Sequence, residues 1–453
     1  MSTESDKLLT SFDGGFKCKV PTKSIRTSAD LNLDKEFKNK HFISRGAGMS
    51  FAAASFRPDT LSLLNSANSV ISFDKEAKMV EVDAGMSVGD LGHYLMDKGF
   101  YIKTVPGYPS ITIGGCIATD AHGKNQLQDG TFQNLVESFE LYHPEYGLQS
   151  VSRASNQKLF DLTCGGFGLT GHMVSTKLRL SKLKSNYLNL HTEELPDIYD
   201  LPMALERINK RDCDMLLSWH NFLLNGKKFG HGFIQYGFFN KNKSSIQSQN
   251  DSFNQKPIPG LYPDSRGDGW PSVFSYVPTS LMNSLYTYLQ KMSCANPRAI
   301  PLSSCSFPSL KLRDLYFNAF GANGFLEHQA VVPVFDFAEY IDRIKWWLNQ
   351  NELPITIASS KYFGGRGKYL QFRSSGICFA MDFPRCKKAY EFLAYLDQVC
   401  IELGCLPNII KDSRIEADCV SKTYREYELF RKALRDYDPW RLCRSELSDR
   451  LKL

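Results

Sequence analysis

Three glycine-rich clusters hold most of the chemistry that this sequence can offer. The first is Ser44-Arg45-Gly46-Ala47-Gly48-Met49-Ser50-Phe51. The second begins at Pro106-Gly107-Tyr108 and continues as Ile113-Gly114-Gly115-Cys116-Ile117-Ala118-Thr119-Asp120-Ala121-His122-Gly123-Lys124-Asn125. The third is Gly165-Gly166-Phe167-Gly168-Leu169-Thr170-Gly171. Glycine at such spacing lets the chain turn with positive φ and brings backbone N–H groups close to an anion. One cluster alone is usually a turn. Three of them between strands suggest a long phosphate-bearing ligand laid across backbone. The third cluster also matches G-x-G-x-x-G, with Glu193 near the distance of a ribose-binding acid. A dinucleotide fold needs a helix to open at those glycines. Here Val174, Thr176, Leu178 and Leu180 alternate with polar residues, which is strand period. The Rossmann reading is rejected.

The elements that must carry these clusters are legible in part. Val70-Ile71-Ser72-Phe73 and Met79-Val80-Glu81-Val82 flank a polar Asp74 to Lys78 segment and predict a hairpin. Ser87 reads as the N-cap of a helix carrying Val88, Leu91 and Leu95, with Gly99 as its stop. Further on, Phe325 to Val332 reads as a strand, and Asp336 as the cap of a helix that aligns Phe337, Tyr340, Ile344 and Trp347. Strands over Ile355 to Ala358 and Ile377 to Phe383, a helix over Lys387 to Leu403 and a strand over Cys405 to Ile410 complete a β-α-β-β-α-β order. That order is a split βαβ, ferredoxin-like sheet. The Ser/Asn/Gln/Gly/Pro-rich stretch at about 240–270 predicts a mobile loop, either a lid or membrane-touching flap or a plain insertion. No internal repeat is evident.

With 453 residues, the chain fits two or three domains. Its hydrophobic share of 42% and charged share of 23% are those of a globular protein. Lys and Arg are scattered and the net charge is only +6, so no nucleic-acid footprint is present. Twelve cysteines show no Cys-x-x-Cys and no metal spacing with histidine, so free thiols in a reducing compartment and no metal are expected. The polar first ten residues and the lack of a long apolar run lead to an expected cytoplasmic location, with at most peripheral membrane contact.

The segment from Arg45 to Leu183 resembles the FAD-binding domain of the vanillyl-alcohol oxidase/p-cresol methylhydroxylase (PCMH-type) superfamily. Its string Pro106-Gly107, Gly114-Gly115, Ala118, Asp120 and His122-Gly123-Lys124-Asn125 is similar to the decaprenylphosphoryl-ribose 2'-oxidase family in particular. Further matches are Gly324-Phe325-Leu326, Gln329, Asp382-Phe383-Pro384 and Lys411-Asp412-Ser413-Arg414. The resemblance implies an α+β protein whose discontinuous FAD-binding domain spans 1–186 and 411–453, with a substrate-binding domain at 187–410 containing an antiparallel sheet and covering helices. It implies that FAD is held by Arg45, Gly46, Ala47, Gly48, Met49, Ser50, Pro106, Gly107, Gly114, Gly115, Ala118, Thr119, Asp120, Gly123, Gly168 and Gly171. Many superfamily members link flavin through a histidine in the first loop; Met49 stands there, so FAD is expected to be non-covalent. Cys116 and Cys164 are read as small buried residues rather than flavin links.

By the same resemblance, Lys411 faces flavin and substrate together, while His122 and Lys124 face the substrate. His122 is either a partner for the sugar hydroxyl or a turn histidine. Glu327, Gln329, Lys361, Ala380, Trp219 and Phe307 are candidate substrate contacts, though Trp219 reads more readily as a core residue than as a pocket wall. Three of these depart from the family: Glu327 stands for a glutamine, Ala380 for a cysteine and Phe307 for a pocket tyrosine. The implied reaction is oxidation at C2 of a polyprenyl-phosphate-linked pentofuranose, the first half of an epimerisation. An NAD(P)H-dependent keto-sugar reductase would complete it, with quinone or oxygen as electron acceptor, at the inner face of the plasma membrane. A soluble aldonolactone or alditol oxidase, a non-catalytic flavin-binding module and a nucleotide-sugar-binding regulator are the alternatives.

Overall fold

An eight-stranded antiparallel sheet runs through the second half of the chain. From one edge its strands are Arg298–Pro301, Tyr187–Leu195, Gly232–Phe239, Met215–His220, Ile357–Phe363, Gly376–Pro384, Phe325–Val332 and Leu406–Pro407. This computed structural model describes residues 4–27, 29–32, 40–224, 226–240, 271–307 and 310–453, so the 240–270 loop expectation lies, apart from Asn240, outside the described residues. Numbered by chain order within each half, the strands run 4-1-3-2 and then 2-3-1-4. The sheet is therefore two split βαβ units joined through Met215–His220 and Ile357–Phe363. The sequence shows only the second unit. In the first, helix Tyr276–Ser293 buries only Thr279 and Asn283 among its residues, so it carries no inward apolar stripe to read.

Helices Leu201–Asn209, Phe337–Gln350 and Lys387–Glu402 cover one face of the sheet. Phe337, Tyr340, Ile344 and Trp347 form the expected stripe, joined by Ile341, each contributing about 2 kcal/mol of apolar burial. Strand alternation sends Leu326 and Ala330 to that core and Glu327 and Gln329 to the opposite face. Two boundaries differ from expectation. The strand foreseen over Ile355 to Ala358 pairs only from Ile357 and runs on to Phe363, which brings Lys361 into the sheet. The strand foreseen over Cys405 to Ile410 stops at Pro407, because the Asn408 side chain accepts from the Ile410 N–H and starts a 3₁₀ turn, Ile409–Lys411. That turn presents Lys411. Asp336 sits at the N-cap of its helix but makes no side-chain cap bond.

Besides a two-stranded pairing of Phe100–Tyr101 with Ser181–Lys182, the first half of the chain forms two smaller sheets. One orders strands Ser5–Thr10, Lys17–Ile25, Leu61–Asn65 and Phe42–Arg45. The other orders Val70–Asp74, Met79–Asp83, His172–Arg179, Val136–His143 and Gly147–Ser152, all antiparallel. The hairpin and the Ser87-capped helix Val88–Met96 are as read, with Ser87 Oγ accepting from the Asp90 N–H at 3.0 Å. His172–Arg179 is a strand, which settles the third glycine cluster against a Rossmann turn.

The C-terminal helices Ala417–Thr423, Tyr427–Tyr437 and Glu446–Arg450 return to this half and pack on Ile43, Ala52 and Leu169. Asp438 fixes the return by accepting from the Leu442 and Cys443 N–H groups at 3.0 and 2.9 Å. His143, Asp438 and Cys443 converge there, but both Asp438 oxygens already hold backbone donors, and the cluster reads as a structural pin. All twelve cysteines are free thiols. No helix among the described residues is long and apolar enough to cross a membrane.

Burial alone depresses His172 to about 4 and dominates the fall of His220 and His328 to about 4. An unfolded histidine protonates near pH ~6.5, so between these values the unfolded chain binds more protons. Stability is full above that range and falls on acidification, by about 4 kcal/mol per pH unit for the three together. The urea midpoint is expected to drop between pH ~7 and ~5. His172→Gln should lessen the drop, and a drop of undiminished size in that variant would show that this imidazole is charged or exposed.

Candidate active site

Between the glycine clusters and the other face of the eight-stranded sheet lies a cavity of about 820 Å³, the upper size range of ligand sites. At one end runs the first glycine loop. The backbone N–H groups of Ala47, Gly48, Met49 and Ser50 donate to no protein acceptor among the described residues, and all four residues line the cavity. Gly48 has φ +68°, and a Cβ there would lie 2.3 Å from Arg45 Nη2, so glycine is strongly favoured. This end is a ready acceptor of an anion.

The second and third clusters close the walls. Helix Ile113–Ala118 is capped by Thr112, whose Oγ1 accepts from the Gly115 N–H at 3.2 Å. The Gly114 N–H donates to Ala84 O at 2.8 Å. These amides are spent inside the protein, so Gly114 and Gly115 offer a close backbone surface rather than free donors. Gly165 and Phe167 N–H groups donate to Ile117 O and Ala118 O at 2.9 and 2.8 Å, stitching the third cluster to the second. Gly168 and Gly171 complete that wall. A Cβ on Gly171, at φ +137°, would lie 2.3 Å from Tyr142 O. Arg45, Gly46, Pro106, Gly107, Ala118 and Thr119 also line the cavity.

Charged groups gather at the other end. Lys411 Nζ stands 3.4 Å from Glu327 Oε2 and 3.6 Å from the centre of the Phe51 ring. Glu327 and Asp382 face each other across paired strands, and the Tyr316 hydroxyl donates to Asp382 Oδ2 at 3.0 Å. Burial, then the Glu327 charge, raises the Asp382 carboxyl well above the carboxylate range. His122 packs edge-on against Phe363, and burial with the Lys361 and Lys411 charges holds it neutral. Burial also lowers Lys361. Gln329 is hydrogen-bonded to Asn408.

Six expected contacts lie elsewhere. Lys124, lowered to about 8 mainly by burial, turns away to donate to the Cys305 carbonyl. Asp120 accepts from the Gln133 N–H and Nε2 at 3.0 and 3.1 Å, and is a joint in a buried amide network. Gly123 packs behind the wall on Thr104 and Val105. Ala380 lies across from Gln329, but its methyl does not reach the cavity. Trp219 stands one layer back, its ring 4.6 Å from that of Tyr286, which does line it. Phe307 is buried in the core of the first half. Tyr316 on helix Leu310–Asn318 does line the cavity and brings a phenol to it.

Sequence reasoning missed Tyr316, Asn408 and Asp382 as site residues. Asp382 had a signal, since it opens the Asp-Phe-Pro triplet. Helix Leu310–Asn318 is weakly amphipathic and gave none. Cys378, two residues before Ala380, points into an apolar cluster with Phe363 and Phe372, where burial pushes its thiol up to about 12. Burial likewise raises Cys116 and Cys164. None of the three is a ready nucleophile.

A family model described as FAD binding domain matches residues 35–147. Over 420 residues the chain is 26% identical to decaprenylphosphoryl-beta-D-ribose oxidase of Mycolicibacterium smegmatis, covering 91% of this chain and 89% of that protein. It is 27% identical to mitochondrial D-lactate dehydrogenase [cytochrome] 1 of Saccharomyces cerevisiae over 30% of this chain and 22% of that protein. It is 23% identical to L-gulonolactone oxidase of Scyliorhinus torazame over 31% of this chain and 32% of that protein.

Proposed function

We propose, from the premise that this chain is an FAD-dependent oxidoreductase with a PCMH-type FAD-binding domain acting on CH–OH groups, that its substrate is a sugar. The sugar is a pentofuranose carried on a polyprenyl phosphate or a related glycosyl carrier, and its C2 hydroxyl becomes a ketone. The single observation that carries this reading is one cavity with free amides at one end and a lysine–carboxyl cluster at the other. The residues present fit FAD. The Ala47 to Ser50 amides would hold the pyrophosphate, and the Lys411 end would hold the reacting ring. The first loop offers Met49 and no histidine or cysteine, in keeping with dissociable FAD. FAD, when bound, supplies a two-electron acceptor for the carbinol hydrogen.

The remaining work falls to side chains. Lys411 places a positive charge where negative charge develops. His122 serves as a neutral hydrogen-bonding partner for the sugar, because an imidazolium between Lys361 and Lys411 is disfavoured. Gln329 and Asn408 offer amides to further hydroxyls. The extended likeness to the ribose oxidase supports a lipid-linked pentose. In this reading a quinone or oxygen reoxidises the protein, and a separate NAD(P)H-dependent reductase returns the ketone to an alcohol and completes the epimerisation. The protein works in the cytoplasm, peripherally on the inner face of the plasma membrane.

Anaerobic mixing with a panel of sugars tests this. Lipid-linked pentofuranose is expected to bleach the flavin and yield a 2-keto sugar. Bleaching by free aldonolactones or alditols alone would assign the site to a soluble oxidase. Colour untouched by every sugar would mark a non-catalytic module.

A further inference from the structure

Alcohol oxidation releases a hydroxyl proton, and the cavity must receive it. His122 is a poor acceptor for the reason given above. Lys411 already presents its ammonium to Glu327. Besides the Gln329 amide and the Lys361 amine, the sheet face brings a pair of carboxyls to the cavity. Glu327 and Asp382 are register partners on strands Phe325–Val332 and Gly376–Pro384, both lining the cavity, with the Glu327 charge acting on Asp382. Two carboxylates in contact in a poorly solvated site cannot both ionise.

The surroundings decide which one keeps the proton. Asp382 is met by Glu327 from one strand and by the Tyr316 hydroxyl from helix Leu310–Asn318, while Thr356 Oγ1 bonds its backbone carbonyl at 3.0 Å. Glu327 is met by Lys411 from the 3₁₀ turn and by Lys361 from strand Ile357–Phe363. The Lys411 charge reaches Asp382 as well, but among the described residues its ion pair is with Glu327, and the Lys361 charge also meets Glu327. We propose that Glu327 and Asp382 hold one proton between them, resting on Asp382, and that Glu327 is the base that takes the proton of the substrate hydroxyl.

The step balances. The carbinol C–H bond breaks with its electron pair going to the flavin, the O–H bond breaks, the C=O bond forms and the proton moves to Glu327. Before the step Glu327 neutralises Lys411. After it both carboxyls are neutral, and the Lys411 charge is freed to face a ring that has gained negative charge. The base and the electrostatic stabiliser are thus coupled through one 3.4 Å ion pair. This inference rests on the FAD-oxidase reading but not on the identity of the sugar.

Infrared spectroscopy of the yellow protein without substrate is the first test. A carboxylic-acid C=O band is expected at neutral pH, absent from Asp382→Asn and titrating at lower pH in Glu327→Gln, where the neighbouring charge is gone. A spectrum in which Asp382→Asn removes no acid band would overturn the shared proton. The second test is the rate of flavin reduction by any alcohol the protein oxidises. Glu327→Gln is expected to slow it about 100-fold or more with FAD retained, and to flatten its pH dependence. An unchanged rate would remove Glu327 as the base. A failed sugar panel would leave the infrared result standing, so the two readings fail separately.

Discussion

Gly48→Val protein is expected to emerge from purification without FAD. Two independent effects act at this position. The backbone there has φ +68°, a region costing a β-branched residue roughly 1–3 kcal/mol. The new Cβ would also lie 2.3 Å from Arg45 Nη2. Arg45 cannot yield freely, since its Nη1 donates to Ser55 Oγ at 3.0 Å and its guanidinium sits 5.2 Å from the Phe56 ring centre. The loop must turn instead, and its unpaired amides turn with it. Affinity for FAD should fall at least ~100-fold, equivalent to about 2.7 kcal/mol. Gly147→Val is the control. Its φ is +67°, but a Cβ there meets nothing within 4 Å, and it lies in a hairpin rather than at the cavity. It should keep its FAD. Flavin absorbance per protein in the two variants decides the matter, and a yellow Gly48→Val protein would displace the pyrophosphate from this loop.

Lys411→Met should stay yellow and reduce slowly. Methionine keeps most of the side-chain length over the Phe51 ring but withdraws the ammonium from Glu327. Loss of one preorganised charge at a reacting centre typically removes about 10²–10³ of the rate. FAD content should change little, because the Ala47 to Ser50 amides are untouched. Stopped-flow reduction under anaerobic conditions gives the comparison. A wild-type rate would remove Lys411, and its ion pair with Glu327, from the chemistry.

What could be read from the sequence follows from how local each signal is. The hairpin at Val70–Asp74 and Met79–Asp83, the Ser87 cap and the Phe337–Gln350 stripe are written within a few residues of each other, and each formed as read. The strand after the third glycine cluster was legible from alternation alone. The first split βαβ unit was not, because helix Tyr276–Ser293 leaves Val277, Leu281, Leu285 and Leu289 exposed. The side chains of the site come from distant places. Lys411 and Glu327 are 84 positions apart, and Tyr316 and Asp382 are 66. No spacing rule joins such pairs. Motif position alone also misplaced Lys124, which the structure turns toward the Cys305 carbonyl, and Phe307, which fills the core of the first half.

A crystal structure of the protein purified with its pigment would show where the cofactor lies. Electron density for the FAD pyrophosphate is expected within hydrogen-bonding distance of the Ala47, Gly48, Met49 and Ser50 amides, with the isoalloxazine at the Lys411 end of the same cavity. Density for FAD in any other cleft, or a colourless protein that takes up none when FAD is supplied, would contradict it.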